Sequence, residues 1–126
     1  RVGAHLILVA RTSHDLEDVE ERIHRAGGSA TIAPLDLTDA DSIARLATAV
    51  GERWGKLDSL VLNAAMLGSL SPVQAIDPKE FARLLTLNVS AQQAMIAAFD
   101  PLLRHASPGR LIAITSSVGQ QPRAYW

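Results

Sequence analysis

The chain has 126 residues, 48% of them apolar, with 12 basic and 13 acidic side chains and a formal charge of −1. That is enough apolar material for one packed domain, and near-neutral, interspersed charge does not suit a nucleic-acid surface. No apolar run approaches the roughly 20 residues that a spanning helix needs, the first residues carry no secretory signal pattern, and the absence of cysteine excludes disulfides and thiolate chemistry and fits a cytoplasmic setting.

His5–Ala10 is a short apolar run, expected as a strand buried on both faces, as in a parallel sheet. Leu16, Val19 and Ile23 then recur at helical spacing, and Gly27 and Gly28 close that helix. Residues 30–35 read as the next strand. Thr38 is expected to cap a second helix, with Asp41 at the capping-box position and Ile43, Leu46, Ala47, Val50 and Trp54 as its apolar stripe. Residues 57–62 form a third strand. Asp77 and Pro78 open a long helix over 78–105, with Glu80 at the capping-box position. Phe81, Leu84, Leu85, Met95, Phe99 and Leu102 are expected on its buried side, and Pro101 should kink or bound it. Ser107-Pro108-Gly109 is a turn before a fourth strand over 110–115.

Strands alternating with amphipathic helices specify an α/β domain, a parallel sheet with helices on both sides. Ligands of such sheets sit outside the carboxyl ends of the strands. Functional residues are therefore sought at Arg11, at Asp36 and Leu37, at Asn63, Ala64 and Ala65, and at Ser116 and Ser117. Arg11 is either a solvated surface cation or the partner of a 2′-phosphate. Asp36 either adds charge at a helix cap or accepts a hydrogen bond from an exocyclic amine. The small residues after Asn63 make a tight junction, or let a planar ligand approach the backbone. Asn88 lies inside the long helix, where asparagine is a mediocre helix former; it is either exposed and idle or bonded across a kink. Hydroxyls at a strand end can polarise a carbonyl. The histidines (His5, His14, His24 and His105) lack the spacing of a metal site.

Taken together, Asp36-Leu37-Thr38, the run from Leu57 through Asn63-Ala64-Ala65, Leu87-Asn88-Val89, and the run from Gly109 through Ser116 to Gly119 resemble the short-chain dehydrogenases/reductases in order and spacing. The resemblance covers essentially the whole chain. It implies a Rossmann-like, doubly wound parallel sheet and one partial dinucleotide-binding domain over residues 1–126. It also implies hydride transfer between a nicotinamide cofactor and a carbonyl or alcohol substrate. By the same resemblance Asp36 and Leu37 lie beside the adenine, and Asn63, Ala64 and Ala65 line the cofactor. Asn88 serves the proton relay and Ser116 is the catalytic serine, with Ser117 as runner-up. Arg11 stands where NAD-preferring members carry an acid, so NADP is favoured over NAD.

The sequence departs from the family pattern at several points. Leu62 replaces the first Asn of the family's Asn-Asn-Ala-Gly motif, and Ala65 replaces its Gly. Only Arg1-Val2-Gly3-Ala4 could remain of the Gly-rich phosphate loop. Tyr125 is too close to Ser116 to begin the family's Tyr-x-x-x-Lys pair, and no Lys follows it. The family's first strand would lie between the strand at His5 and the one at Leu57, so the sheet should show a gap and raw edges there. The chain is thus expected to be a fragment that does not fold independently and is inactive alone. A homo-oligomer is expected through the long helix, whose Ala91, Ala94, Ala97 and Ala98 suit close packing against a second copy or against the sheet. Two other readings compete: a non-catalytic α/β module that binds a nucleotide or a partner, and a receiver-like signalling domain. The second needs a cluster of strand-end acids, and Asp36 stands alone.

Overall fold

The computed structural model describes residues 3–117 and 121. Along the chain lie β1 (His5–Ala10), α1 (Ser13–Arg25), β2 (Ser29–Pro34), α2 (Ala40–Trp54), β3 (Ser59–Leu62), α3 (Pro78–Leu85), a π turn (Thr86–Ser90), α4 (Ala91–Arg104) and β4 (Arg110–Ala113). The alternation is the one the sequence specifies.

The strands pair as two separate parallel ladders. β1 lies beside β2 with His5 opposite Ser29 and Ala10 opposite Pro34. β3 lies beside β4 with Ser59 opposite Arg110 and Leu62 opposite Ala113. Between the pairs runs a cavity of about 750 Å³, lined by His5, Leu6, Ile7 and Val9 of β1 and by Leu60, Val61 and Leu62 of β3. This is the gap expected from the missing central strand. It corrects one expectation: β1 is not buried on both faces, because its inner edge looks into the cavity. His5 and Leu6 are exposed and the rest of the strand is half-buried.

The core sits on the other side of the cavity. Ile43, Ala47 and Val50 of α2 pack against Leu60 and Leu62 of β3 and against Met95 and Phe99 of α4. Leu46, Trp54 and Leu102 close around this cluster, as the helical spacing requires. The Leu57 amide donates to the Leu102 carbonyl at 3.0 Å, tying the approach to β3 to the end of α4.

Two helix ends differ from expectation. The cap of α2 is Asp39, whose side chain accepts from the Asp41 amide. Thr38 is unavailable, because its amide and hydroxyl both donate to Asp36 Oδ1, at 2.9 and 2.8 Å. At α3, Asp77 caps as expected, accepting from the Glu80 amide at 2.8 Å. The Glu80 carboxylate does not return to the cap. It accepts instead from the Ser69 amide and hydroxyl, at 2.7 and 3.0 Å, and so holds the loop after β3 against α3.

The segment 78–104 is helical throughout but changes register at the π turn. A π turn inserts an extra residue, so apolar stripes before and after it do not line up. Phe81 and Leu85 consequently face outward, 49% and 45% exposed, rather than joining the buried side. Pro101 stays inside the last turn of α4, which runs on to Arg104. Of the alanines in this helix, Ala91 is buried and Ala94 and Ala98 pack on the core. Ala97, by contrast, is exposed.

Candidate functional site

Residues that follow β1, β2 and β3 border the same cavity: Arg11, Asp36, Leu37, Thr38, Asn63, Ala64 and Ala65 all line it. Every cofactor-binding residue expected from the sequence is thus brought to one place, although the residues span more than fifty positions of chain.

Asp36 is fixed by the turn it makes with Thr38. The Thr38 amide, first, and then its hydroxyl hold the carboxyl below the ordinary aspartate value, and the Arg11 guanidinium adds to the effect. Arg11 and Asp36 therefore line the cavity as a cation and an anion side by side. Both are exposed to solvent, so their mutual attraction is screened and weak.

Asn88 lies in the π turn and is not idle. Its Oδ1 accepts from the Met66 amide at 2.9 Å, and its Nδ2 donates to the Met66 carbonyl at 2.8 Å. This two-point contact resolves the alternatives left open by the sequence. It also explains why asparagine is placed at a helix position it disfavours: the side chain binds a distant backbone instead of its own. The cavity lining includes Met66 but not Asn88.

Ser116 follows β4, whose ladder with β3 extends to Ile114, the amide of which donates to the Leu62 carbonyl at 3.0 Å. Ser116 therefore stands at the strand end neighbouring Asn63. It is exposed and does not line the cavity. Ser117 is likewise exposed, and its carbonyl accepts from the Gln121 amide at 3.0 Å. Gly119, the residue that singled out Ser116 over Ser117, lies outside the described residues, as do Arg1, Val2, Tyr125 and Trp126.

Sequence reasoning passed over Gln92. Its Nε2 donates to the Ala64 carbonyl at 2.7 Å and to the Leu87 carbonyl at 3.3 Å, and the residue lines the cavity. The available signal was an amide one helical turn beyond Asn88, on the same side of the helix. Arg83 and Thr86 of the same helical run also reach the cavity and were not singled out. Among the described residues there is no group of acids and histidines able to hold a metal ion, and no helix is long and apolar enough to cross a membrane.

Comparison with known proteins agrees with this geometry. The family profile described as short chain dehydrogenase matches residues 1–126. An uncharacterized oxidoreductase of Escherichia coli K12, YciK, is 30% identical over 129 residues, covering 100% of this chain and 51% of that protein. A metagenomic short-chain oxidoreductase crystallised with NADP superposes with a TM-score of 0.91 at 35% identity, covering 98% of this chain and 56% of that one. NAD⁺-bound xylitol dehydrogenase superposes with a TM-score of 0.89 at 26% identity, covering 96% and 46%. The chain spans about half the length of the curated relatives it matches. Sheet, strand-end residues and family profile converge: this chain belongs to the short-chain dehydrogenase family, as an incomplete Rossmann fold.

Proposed function

We propose that the full-length protein carrying this chain is an NAD(P)-dependent oxidoreductase that moves hydride between a nicotinamide and a carbonyl or alcohol substrate, with NADP favoured over NAD. The observation that carries this reading is the convergence of Arg11, Asp36 and the Asn63–Ala65 loop on one cavity at the strand ends. The donor set fits such a cofactor. Arg11 offers an exposed guanidinium of the kind that binds a 2′-phosphate in two places at once. The hydrogen bonds from Thr38 fall on Oδ1 of Asp36, which leaves Oδ2 for an adenine amine. Ala64 and Ala65 present little side chain, so a flat ring can lie close to the backbone.

The bound cofactor supplies the hydride chemistry. This chain's residues bind and orient. Asn88 holds the loop at Met66, Asn63 lines the cavity just after β3, and the Ser116 hydroxyl donates to the substrate carbonyl oxygen as negative charge gathers there. Proton transfer needs a further acid, which the family pattern supplies as Tyr-x-x-x-Lys and which this sequence does not contain. The 126-residue chain alone is accordingly inactive, and catalysis belongs to the full-length protein, a cytoplasmic enzyme in this reading.

A homo-oligomer is part of the same reading. Phe81, Leu85, Val89 and Ile96 lie exposed along the outer side of α3, the π turn and α4, an apolar strip that a second copy would cover.

The test is NADPH oxidation by the full-length protein over a panel of aldehydes and ketones. Turnover with at least one carbonyl is expected, and Ser116→Ala should lower kcat about 10²–10³-fold, the usual loss of one such donor. Nucleotide binding without turnover of any carbonyl would favour the non-catalytic binding module instead.

A further inference from the structure

We infer that Gln92 is a positioning residue that sets the cofactor-facing backbone at Ala64 and Ala65, an inference that rests on the oxidoreductase reading above. Ala64 and Ala65 have no functional side-chain atoms, so only their backbone can be held. Gln92 holds it from one side, donating to the Ala64 carbonyl at 2.7 Å across 28 positions of chain. Asn88 holds it from the other, engaging both the amide and the carbonyl of Met66. Ala65 lies between these two grips and lines the cavity. Ala65 also stands where the resembled family carries glycine, so its methyl group narrows the approach of a ligand to this backbone.

The local burial argues that the amide is there for its donors. Gln92 is half-buried, next to buried Ala91 and one turn before buried Met95. An apolar side chain would fill that position without desolvating an amide, which costs free energy unless hydrogen bonds replace the lost water. Both hydrogens of Nε2 can be used, since the second contact runs to the Leu87 carbonyl at 3.3 Å. That carbonyl belongs to the π turn, where the ordinary helical pairing is interrupted. One amide therefore joins the irregular turn that carries Asn88 to the loop that faces the cofactor. Arg11 and Asp36, by contrast, follow β1 and β2, and the Asp36 carboxylate is engaged by Thr38 rather than by Gln92 or its partners, so the adenosine end of a cofactor laid across the strand ends should be indifferent to this grip.

The experiment uses the full-length protein and two ligands, NADP⁺ and adenosine 2′,5′-bisphosphate, which carries the adenosine end alone. Gln92→Met keeps length and removes both donors. It should weaken NADP⁺ binding about five- to tenfold, the equivalent of one lost net hydrogen bond, while adenosine 2′,5′-bisphosphate binds within about twofold of wild type. Gln92→Glu should be weaker still near neutral pH, with a carboxylate facing two carbonyl oxygens. Its NADP⁺ affinity should recover as pH falls toward the ordinary glutamate range of about 4–5 and the acid regains a donor, a profile that Gln92→Met lacks. Gln92→Met that binds NADP⁺ like wild type overturns the inference, as does an equal loss for both ligands, which would mark general loosening of the fold. Wild-type protein that binds neither ligand overturns the oxidoreductase reading itself and this inference with it.

Discussion

The two sides of the cavity are built differently. On the side of α2, β3 and α4, Ile43, Val50 and Phe99 are 1%, 2% and 3% exposed and belong to one continuous cluster. On the side of β1, α1 and β2, Leu16 is the one buried residue among those described. The second side is held by a six-residue parallel ladder and by polar clips. One such clip is His5, which reaches the Ser29 and Thr31 hydroxyls, each at 2.9 Å, and lies against the Trp54 ring at 5.3 Å between centroids. The contrast shows what a parallel sheet demands. Its strands bury their edges and faces only when neighbours are present on both sides, so half of this domain has a core and the other half borrows one.

Substitutions at Phe99 and Leu16 in the full-length protein would break or sharpen that contrast most. Phe99→Ala removes the centre of the packed cluster and should cost about 3–5 kcal/mol in urea unfolding. Leu16→Ala lies on the side without its own cluster and should fall near the lower end for such truncations, about 2 kcal/mol. Equal losses would mean that the two sides share one core once the domain is whole.

A smaller effect lies at the cavity shared by both sides. Asp36 is held below the ordinary value of 3.8 by the Thr38 amide above all, then by its hydroxyl. A lowered folded-state value means that the carboxylate's contribution is present above the unfolded value and is lost as pH falls through the lowered one. Asp36 thus stays ionised throughout the neutral range. Thr38→Ala removes the hydroxyl and leaves the amide, so the Asp36 midpoint, followed by its carboxyl carbon shift, should rise only part of the way to 3.8. A full return would show that the hydroxyl, not the amide, dominates.

Much of this was legible in the sequence. The strand and helix order follows from apolar runs such as His5–Ala10 and stripes such as Ile43, Ala47 and Val50, because periodicity is a direct imprint of burial. The strand-end residues followed from the sheet type, and Asp36 with Asn63 through Ala65 do converge. Three features were not legible. The outward turn of Phe81 and Leu85 depends on a π turn that leaves no periodic mark. The transfer of the α2 cap from Thr38 to Asp39 depends on Asp36 competing for Thr38. The grip of Gln92 on Ala64 joins residues distant in sequence, and a half-buried glutamine looks like any other polar residue on a helix.

We propose above that the cavity receives a nicotinamide dinucleotide with a 2′-phosphate against Arg11. Calorimetric titration of the full-length protein with NADPH and with NADH tests it most directly. NADPH should bind tighter by about tenfold or more, one charge-assisted contact's worth, and Arg11→Glu should abolish or reverse that preference. Binding of neither nucleotide, or a preference for NADPH that Arg11→Glu leaves unchanged, would contradict it.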